Sequence, residues 1–196
     1  MEQIEVEIKF RVKDPIAFEK QLEKLGFKKK TPRTFERNIL YDTPGRDLLN
    51  SGRLLRLRQY GERWIMTFKA KPDDDDPGAA HKSRIEVETG VENGAAAALI
   101  LEKLGYQPAF VYEKWRTEWE DGEGHVTLDE TAIGIYAELE GKPEWIDRTA
   151  KMLGVAKSDY ITLSYGRLFE DWRRATRSPA KNLTFDEVPT VVTANT

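Results

Sequence analysis

The stretch that decides the fold is residues 4–11, which alternate strictly between apolar and charged side chains: Ile4, Glu5, Val6, Glu7, Ile8, Lys9, Phe10 and Arg11. A period of two residues is typical of a β-strand whose two faces meet different surroundings. The apolar side chains therefore share one face of the strand, and the charged side chains share the other. A face built only from charges needs a particular explanation if other strands repeat it.

The composition of the chain is highly charged but balanced. Of its 196 residues, 39% are hydrophobic and 33% are charged, and 31 basic residues nearly cancel 34 acidic ones to leave a net charge of −3. An average globular protein has only about 25% charged residues. The length predicts one domain with enough apolar residues for a core, and the balance predicts that opposite charges lie side by side.

Several classes of function are excluded or disfavoured by composition. A pI near 5.6 argues against general nucleic-acid binding. The chain has no cysteine and only His81 and His125, which rules out disulfides, thiolate zinc sites, cysteine nucleophiles and histidine-rich metal sites. It contains no apolar run long enough to span a membrane and no signal-peptide pattern. We therefore expect a soluble cytoplasmic protein that binds neither nucleic acid nor membrane.

The pattern of turns and periodicities predicts an α+β fold with a chiefly antiparallel sheet. The first helix should begin at Asp14-Pro15 and end at Gly26, because Asp is a good N-cap and Gly a good C-terminal stop. Further helices are predicted at residues 95–104, 143–153 and 165–174. Further strands are predicted at residues 35–42, 53–60, 63–70, 84–89, 110–120, 124–130 and 133–140.

Two polar segments are predicted to lie outside this framework. Residues 72–78 form an acidic, proline-flanked loop that includes Asp73–Asp76, for which a solvated loop is a better interpretation than a cation site. Residues 176–196 are polar and lack a persistent period. We therefore expect one domain over residues 1–175, followed by a loosely attached C-terminal tail over residues 176–196.

The charged faces of the predicted strands recur in the same phase along most of the sheet. One face carries eight basic residues, namely Lys9, Arg11, Arg56, Arg58, Lys69, Arg84, Lys114 and Arg116. It also carries eight acidic residues, namely Glu5, Glu7, Glu86, Glu88, Glu118, Asp129, Glu138 and Glu140. For a single strand, a solvated surface is the ordinary interpretation. Surface ion pairs stabilise a fold by only about 0–1 kcal/mol each, so stability gives little reason for so many. Closure of the sheet into a barrel would turn this face into a charged lumen covered by helices outside.

The chemistry of such a lumen points to a metal-bound polyphosphate. Arg and Lys donors match phosphate oxygens, and Arg can bind two of them at once. Carboxylates without His or Cys match hard divalent ions such as Mg²⁺ or Mn²⁺. A metal that bridges carboxylate and phosphate oxygens, with basic groups around it, uses both sets.

The chain also resembles a known family. Glu5-Val6-Glu7-Ile8-Lys9 is similar to the ExExK motif of the CYTH family, the triphosphate tunnel metalloenzymes. The resemblance continues in the family order over about residues 2–170. It includes Tyr41-Asp42-Thr43-Pro44, Leu55-Arg56-Leu57-Arg58, Thr67-Phe68-Lys69, Arg84-Ile85-Glu86-Val87-Glu88, Glu113-Lys114-Trp115-Arg116, Leu128-Asp129 and Glu138-Leu139-Glu140. It implies an eight-stranded antiparallel closed β-barrel, the triphosphate tunnel, with surrounding helices.

The resemblance implies a role for each matching residue. Glu5 and Glu7 would bind a divalent metal, Mg²⁺ or Mn²⁺, with Glu138 and Glu140 completing the carboxylate site. The residues that would hold phosphates are Lys9, Arg56, Arg58, Lys69, Arg84, Lys114 and Arg116. Glu86, Glu88 and Asp129 would line the tunnel as metal ligands, water-orienting groups or partners of the basic side chains. Glu5, Glu7, Lys9 and Asp129 are the catalytic candidates.

One departure from the family pattern concerns a tyrosine. Family members often have Tyr two residues before the Asp, whereas here Leu40 takes that place and the tyrosine is Tyr41. A shift of one residue moves a side chain to the other face of a strand. Tyr41 is therefore predicted to face away from the tunnel.

Three functions remain open at the level of sequence. Water could attack a terminal phosphorus of inorganic tripolyphosphate, thiamine triphosphate or a nucleoside triphosphate, which is phosphohydrolase chemistry. Alternatively, the ribose 3′-hydroxyl of ATP could attack the α-phosphorus to give cyclic AMP and pyrophosphate, as in class IV adenylate cyclases, which residues 104–110 and Ser164-Tyr165 resemble. We favour hydrolysis, which requires only the tunnel. A binding module without turnover is disfavoured by the carboxylates. The family often forms dimers, so a homodimer is a further expectation.

Overall fold

The fold is a closed, fully antiparallel barrel of eight strands. The computed structural model describes residues 3–73 and 79–188. The strands follow one another around the barrel in the order β1-β5-β4-β3-β2-β6-β7-β8. They are β1 (Gln3–Arg11), β2 (Lys28–Asp42), β3 (Leu54–Tyr60), β4 (Arg63–Ala70), β5 (Lys82–Val91), β6 (Gln107–Glu120), β7 (His125–Thr131) and β8 (Gly134–Glu140). The predicted barrel is confirmed.

Among the described residues, five helices surround the barrel. They are α1 (Pro15–Lys24), α2 (Asp47–Asn50), α3 (Gly94–Lys103), α4 (Pro143–Met152) and α5 (Tyr165–Thr176), with a 3₁₀ turn at Lys157–Asp159. The Asp14 side chain accepts a hydrogen bond from the Ala17 amide at the start of α1, and Gly26 has a φ of +89° after its end. Both ends of α1 are therefore set by the local signals that the sequence predicts. None of the helices in the described ranges is long and apolar enough to cross a membrane.

The apolar strand faces point outward and are buried by these helices. Ile8, Leu128 and Leu139 pack with Leu22 of α1 and Ile146 of α4 in the largest apolar cluster. A second outer cluster joins residues of β2, β3 and β4 to α3. The hydrophobic core of this protein therefore lies between barrel and helices, which leaves the opposite strand faces to line the lumen.

Three strands and one helix differ from the sequence-based expectations. β2 begins at residue 28 rather than 35, and β6 begins at residue 107 rather than 110. β5 spans residues 82–91 rather than 84–89. The short helix α2 was not predicted. Its first turn is capped by Asp42, whose carboxylate accepts hydrogen bonds from the amides of Leu48 and Leu49 at 3.0 Å. Asp42 of the family-like Tyr-Asp-Thr-Pro segment therefore holds the chain that follows β2.

The predicted C-terminal tail is attached over residues 178–188, so the expectation of loose attachment is wrong for that part. Leu183 and Val188 are fully buried beside α5. The Leu183 backbone is paired with Val111 and Glu113 of β6 through hydrogen bonds of 3.0 and 2.9 Å. Sparse apolar residues within a polar stretch carry no period, and this is why the sequence did not reveal the contact. Residues 189–196 and most of the acidic run at residues 73–76 lie outside the described residues.

Truncation of Leu183 tests this attachment. Leu183→Ala should lower the free energy of unfolding by about 2–5 kcal/mol, because it removes a fully buried side chain and leaves a cavity. Urea denaturation measures the change, with the exposed neighbour Lys181→Ala as the control. A change below about 0.5 kcal/mol, the size expected of a surface site, would show that residues 178–188 are not packed on the barrel in solution.

Candidate active site in the barrel lumen

The lumen has one acidic wall, formed by β1 and β8. Glu7 lies opposite Glu140 in the register of this strand pair, and Lys9 lies opposite Glu138. Glu5 precedes them on β1 and lies opposite Arg84 of β5. The structure thus places on one wall four of the carboxylates to which the family resemblance gives a metal-binding role. We call Glu5, Glu7, Glu138 and Glu140 the acidic wall.

Two carboxylates of the acidic wall, Glu140 and Glu5, have raised pKa values. Burial, and next the charges of Glu5 and Glu7, raise the pKa of Glu140 to about 7. Burial and the charge of Glu7 likewise raise the pKa of Glu5. Within the described part of the chain, the side-chain carboxylate of Glu140 has no hydrogen-bond or ion-pair partner. A divalent cation would relieve this repulsion, and all-oxygen ligands are the set that Mg²⁺ and Mn²⁺ prefer.

The other three carboxylates of the wall are held by cations of the protein. Glu5 pairs with Lys69, and Glu7 pairs with Lys82. Glu138 accepts from Lys9 at 2.5 Å and from Arg116. Burial opposes ionisation of Glu7, but Lys82 and Lys9 outweigh it and lower its pKa to about 2. As arranged here, the described residues contain no group of three acidic or imidazole side chains close enough to hold a metal. The carboxylates of Glu5 and Glu7 are engaged by lysines instead.

The remaining strands carry the cations that we call the basic wall, namely Arg56, Arg58, Lys69, Arg84, Lys114 and Arg116. Three of them surround Glu36, for which the sequence predicted no role. Glu36 is fully buried on β2. Its carboxylate lies 3.3 Å from Lys114 and 3.9 Å from both Arg58 and Arg116. Although burial opposes ionisation, these cations lower the pKa of Glu36 far below its ordinary value. One buried carboxylate thus keeps several predicted phosphate-binding side chains together inside the barrel.

Asp129 is saturated by donors. Arg116 binds it through two nitrogens at 2.7 and 2.6 Å, and Lys114 at 3.0 Å. The Tyr165 hydroxyl donates a fourth hydrogen bond at 2.7 Å. Of the three roles that the resemblance offers for Asp129, these contacts match that of a partner that holds the basic side chains.

Glu86 and Glu88 of β5 also face basic side chains. Glu86 lies 3.3 Å from Lys69 and 3.9 Å from Arg56. Glu88 lies 3.3 Å from Arg56 and 3.4 Å from Arg58. Arg84 lies between the acidic wall and these pairs, where its Nη1 donates to the carbonyl of Ser83. All the predicted phosphate-binding residues therefore line one lumen.

Several polar atoms in the lumen lack a protein partner. Among the described residues, the Nε atoms of Arg56 and Arg58 and the hydroxyls of Tyr60 and Tyr136 are buried without a hydrogen bond. Buried polar groups are ordinarily paired with protein, water or ligand. Unpaired guanidinium donors in a polar lumen are therefore available to oxygens of a bound anion.

Helix α5 contributes a side chain to the lumen. Tyr165, the first residue of α5, packs against the tunnel-facing rings of Tyr112 and Tyr136. The Lys9 amine lies 4.6 Å from the centre of the Tyr165 ring. Beside it, a cavity of about 860 Å³ opens between α5 and the ends of β2, β3 and β6. The residues that line it include Leu40, Leu54, Phe110, Tyr112, Phe169 and Arg53. This end of the barrel offers an aromatic and basic space next to the charged lumen.

The remaining sequence-based expectations concern residues at the edges. Tyr41 faces outward and packs with Leu57 and Ala97 in the outer cluster, as predicted from the one-residue shift. Arg11 lies over the Tyr136 ring at 4.9 Å, and Glu118 accepts from the Thr31 hydroxyl at 2.5 Å. Neither is part of the acidic wall.

Glu36, Lys82 and Tyr165 were missed for different reasons. Glu36 lies in phase with Asn38, but Leu40 interrupts the charged alternation of that strand. Lys82 has the same strand phase as Arg84 and Glu86. It would have been predicted to face the lumen if the predicted β5 had begun two residues earlier. Tyr165 enters the lumen from a helix, and no strand periodicity reports such a contact.

Substitution of Glu140 tests the charge of the acidic wall. A buried carboxyl with a raised pKa costs stability once it ionises, so the metal-free protein should lose stability as pH rises from its unfolded pKa through about 7. Glu140→Gln removes this cost, and its advantage over wild type should grow by about 2 kcal/mol between about pH 5 and pH 8. Urea denaturation in EDTA at several pH values measures the free energy of unfolding of both proteins. For the exposed control Glu62→Gln, the difference from wild type should not change with pH. The same constant difference for Glu140→Gln would contradict a raised pKa of Glu140.

Substitution of Glu36 tests the basic wall. Glu36→Gln keeps the volume but removes a buried counter-charge that Lys114, Arg58 and Arg116 share. It should lower the free energy of unfolding by about 3–5 kcal/mol. Inorganic tripolyphosphate should restore much of that loss, since the anion supplies negative charge to the same cations. Thermal unfolding of wild type and Glu36→Gln, each with and without the anion, measures this effect. Glu120→Gln, which alters an exposed ion pair with Lys30, is the control. Equal stabilisation of wild type and both variants by the anion would argue against binding at the basic wall.

Comparisons with known proteins agree with this geometry. Residues 3–151 match the family model described as the CYTH domain. A protein of Methanocaldococcus jannaschii, provisionally named adenylate cyclase MJ0240, is 28% identical over 173 residues, which are 83% of this chain and 96% of that protein.

Solved structures share the fold. One from Vibrio parahaemolyticus, provisionally named an adenylate cyclase, is 25% identical with a TM-score of 0.74, over 86% of this chain and 98% of that one. A Hippeastrum protein, provisionally named adenylyl cyclase HpAC1 and described as having a dominant triphosphatase activity, is 21% identical with a TM-score of 0.60, over 86% of this chain and 96% of that one. With its closed barrel, its charged lumen and a family match over residues 3–151, the chain belongs to the CYTH family.

Proposed function

We propose that this protein is a divalent-metal-dependent phosphohydrolase that takes a triphosphate into the barrel lumen. The observation that carries the proposal is the division of the lumen into an acidic wall and a basic wall that face the same enclosed space. Binding of an anion alone would require only the basic wall. The acidic wall, with Glu140 uncompensated, gives a metal-dependent reaction more support than a binding module.

The acidic wall would hold the metal, and Glu5, Glu7 and Glu140 are its principal ligands in this proposal. Mg²⁺ or Mn²⁺, when bound, would neutralise charge on the phosphate oxygens and favour attack at phosphorus. Glu138 is held by Lys9 and Arg116 and would act mainly by keeping those two cations in place.

The basic wall would bind and orient the three phosphates. Arg56 and Arg58 have guanidinium nitrogens without acceptors, and Arg binds phosphate oxygens in a planar, two-pronged geometry. Lys9, Lys69, Lys114 and Arg116 would supply the remaining donors, while Glu36 and Asp129 fix their positions. Such preorganised cations stabilise the charge that develops on the transferred phosphoryl group.

Hydrolysis is the preferred reaction because water is the simplest nucleophile for this lumen. It requires no further binding site beyond the two walls. The Hippeastrum protein, which shares this fold, is described as having a dominant triphosphatase activity although it is provisionally named a cyclase. That description belongs to that protein, and it supports hydrolysis here only as a reaction compatible with the barrel.

Adenylate cyclase activity is the second candidate, and one observation favours it. The cavity of about 860 Å³ beside Tyr165 is lined by Phe110, Tyr112 and Phe169 and adjoins the lumen, so it could take the nucleoside part of ATP. The relatives from Methanocaldococcus jannaschii and Vibrio parahaemolyticus carry provisional cyclase names. In this reaction the ribose 3′-hydroxyl attacks the α-phosphorus, and pyrophosphate leaves.

Activity assays of variants of the acidic wall test the proposal. With Mg²⁺ or Mn²⁺, wild-type protein should release phosphate from tripolyphosphate and make no cyclic AMP from ATP. Glu5→Gln and Glu7→Gln should each lower the rate at least about 100-fold through loss of a metal ligand, with an unchanged circular dichroism spectrum. Exposed Glu62→Gln should keep the wild-type rate.

Three outcomes would contradict parts of this account. Near-normal rates in both Glu5→Gln and Glu7→Gln would remove the metal assignment. Formation of cyclic AMP would favour the cyclase over the hydrolase. Binding of the triphosphate without any product would favour a binding module.

A further inference from the structure

Lys82 is a cation in the lumen that belongs to no group of predicted site residues. It lies at the first position of β5, directly opposite Glu7 in the register with β1. Its amine forms an ion pair with Glu7, and both side chains are largely buried, at 15% and 11% exposure. Glu7 is a principal ligand in the proposed metal site, so a metal and Lys82 would compete for the same carboxylate.

The backbone beside Lys82 is anchored from outside the barrel. The neighbouring His81 contacts Asp147 of α4 through its Nε2 at 2.9 Å. Asp147 is itself held by Lys157 at 2.6 Å and by the Tyr160 hydroxyl at 3.1 Å. The start of β5 is therefore tied to α4, and the Lys82 amine can change partner by rotation of its own four-carbon side chain alone.

We propose that Lys82 is an exchangeable counter-ion, which holds Glu7 in the metal-free protein and releases it to the divalent cation when a triphosphate is present to receive the lysine. This inference rests on the proposed function and adds a residue that couples binding of the metal to binding of the triphosphate. It assigns Lys82 a task different from that of Arg116, which is fixed in two-pronged contact with Asp129.

The coupling follows from the cost of a buried, unpaired charge. A metal that enters alone must displace Lys82 and leave its ammonium group without a partner, which is unfavourable in a largely buried place. A triphosphate offers that ammonium group new, strongly accepting oxygens. Metal and triphosphate should therefore bind cooperatively, and each should raise the affinity of the other by the same factor.

Binding measurements with a neutral variant test this exchange. The first measurement is the affinity for Mn²⁺ alone, which is determined from the electron paramagnetic resonance signal of the ion. The second is the affinity for imidotriphosphate, a hydrolysis-resistant analogue, which is determined by calorimetry once in EDTA and once with saturating Mn²⁺. In Lys82→Met, Mn²⁺ alone should bind about tenfold more tightly, because its competitor is gone. The ratio of analogue affinities with and without Mn²⁺ should fall about tenfold.

Three further variants make the test specific. Lys82→Gln is a second neutral variant, which serves if Lys82→Met does not fold. Lys82→Arg keeps the charge and should stay within about threefold of wild type in both quantities. Lys30→Met removes a lysine from an exposed ion pair with Glu120 and should change neither quantity.

Two results of these binding measurements would contradict the proposed exchange. If the neutral variants bind Mn²⁺ no more tightly than wild type, or keep the wild-type affinity ratio, Lys82 only positions Glu7 and the exchange is refuted while hydrolysis by the wild type would stand. If wild type binds neither Mn²⁺ nor the analogue, the proposed function fails together with this inference.

Discussion

Charged side chains that point into a closed barrel must find opposite charges inside it, because burial without a partner is far more costly than exposure to water. This constraint accounts for the order of the lumen. Glu36 and Asp129 are fully buried, and each contacts several cations. The protein tolerates so much internal charge because most carboxylates of the lumen lie beside a lysine or an arginine. At Glu140, which lacks such a neighbour among the described ion pairs, a ligand would supply the missing charge.

The same constraint explains why the core lies outside the barrel. Because the inner strand faces are polar, the apolar faces pack against α1, α3 and α4, and Trp119, Ile146 and Leu139 are almost completely buried there. Residues 178–188 add a further layer beside α5. The helices therefore stabilise the barrel, and α5 also places Tyr165 against Asp129 and Lys9 in the lumen.

Much of this organisation was predictable from periodicity, and the exceptions have physical causes. The alternation in residues 4–11 and Arg56-Leu57-Arg58 correctly predicted strands whose charges face one lumen. Glu36 escaped because Leu40 breaks the pattern of β2, although both side chains share its inner face. Asp129 could be placed in the lumen, but its four donors depend on contacts between distant elements, including Tyr165 from α5. Strand periodicity reports which face a residue occupies, whereas its charge partners depend on barrel closure and helix docking.

The central claim is that the acidic wall receives the metal and the basic wall receives the phosphates of one ligand in the same lumen. Anomalous diffraction from crystals grown with Mn²⁺ and imidotriphosphate tests it most directly. The account predicts a manganese peak within coordination distance, about 2.0–2.3 Å, of carboxylate oxygens of Glu5 and Glu7, with phosphates contacting Arg56 and Arg58. A manganese peak away from the acidic wall, or an analogue bound outside the barrel, would contradict it.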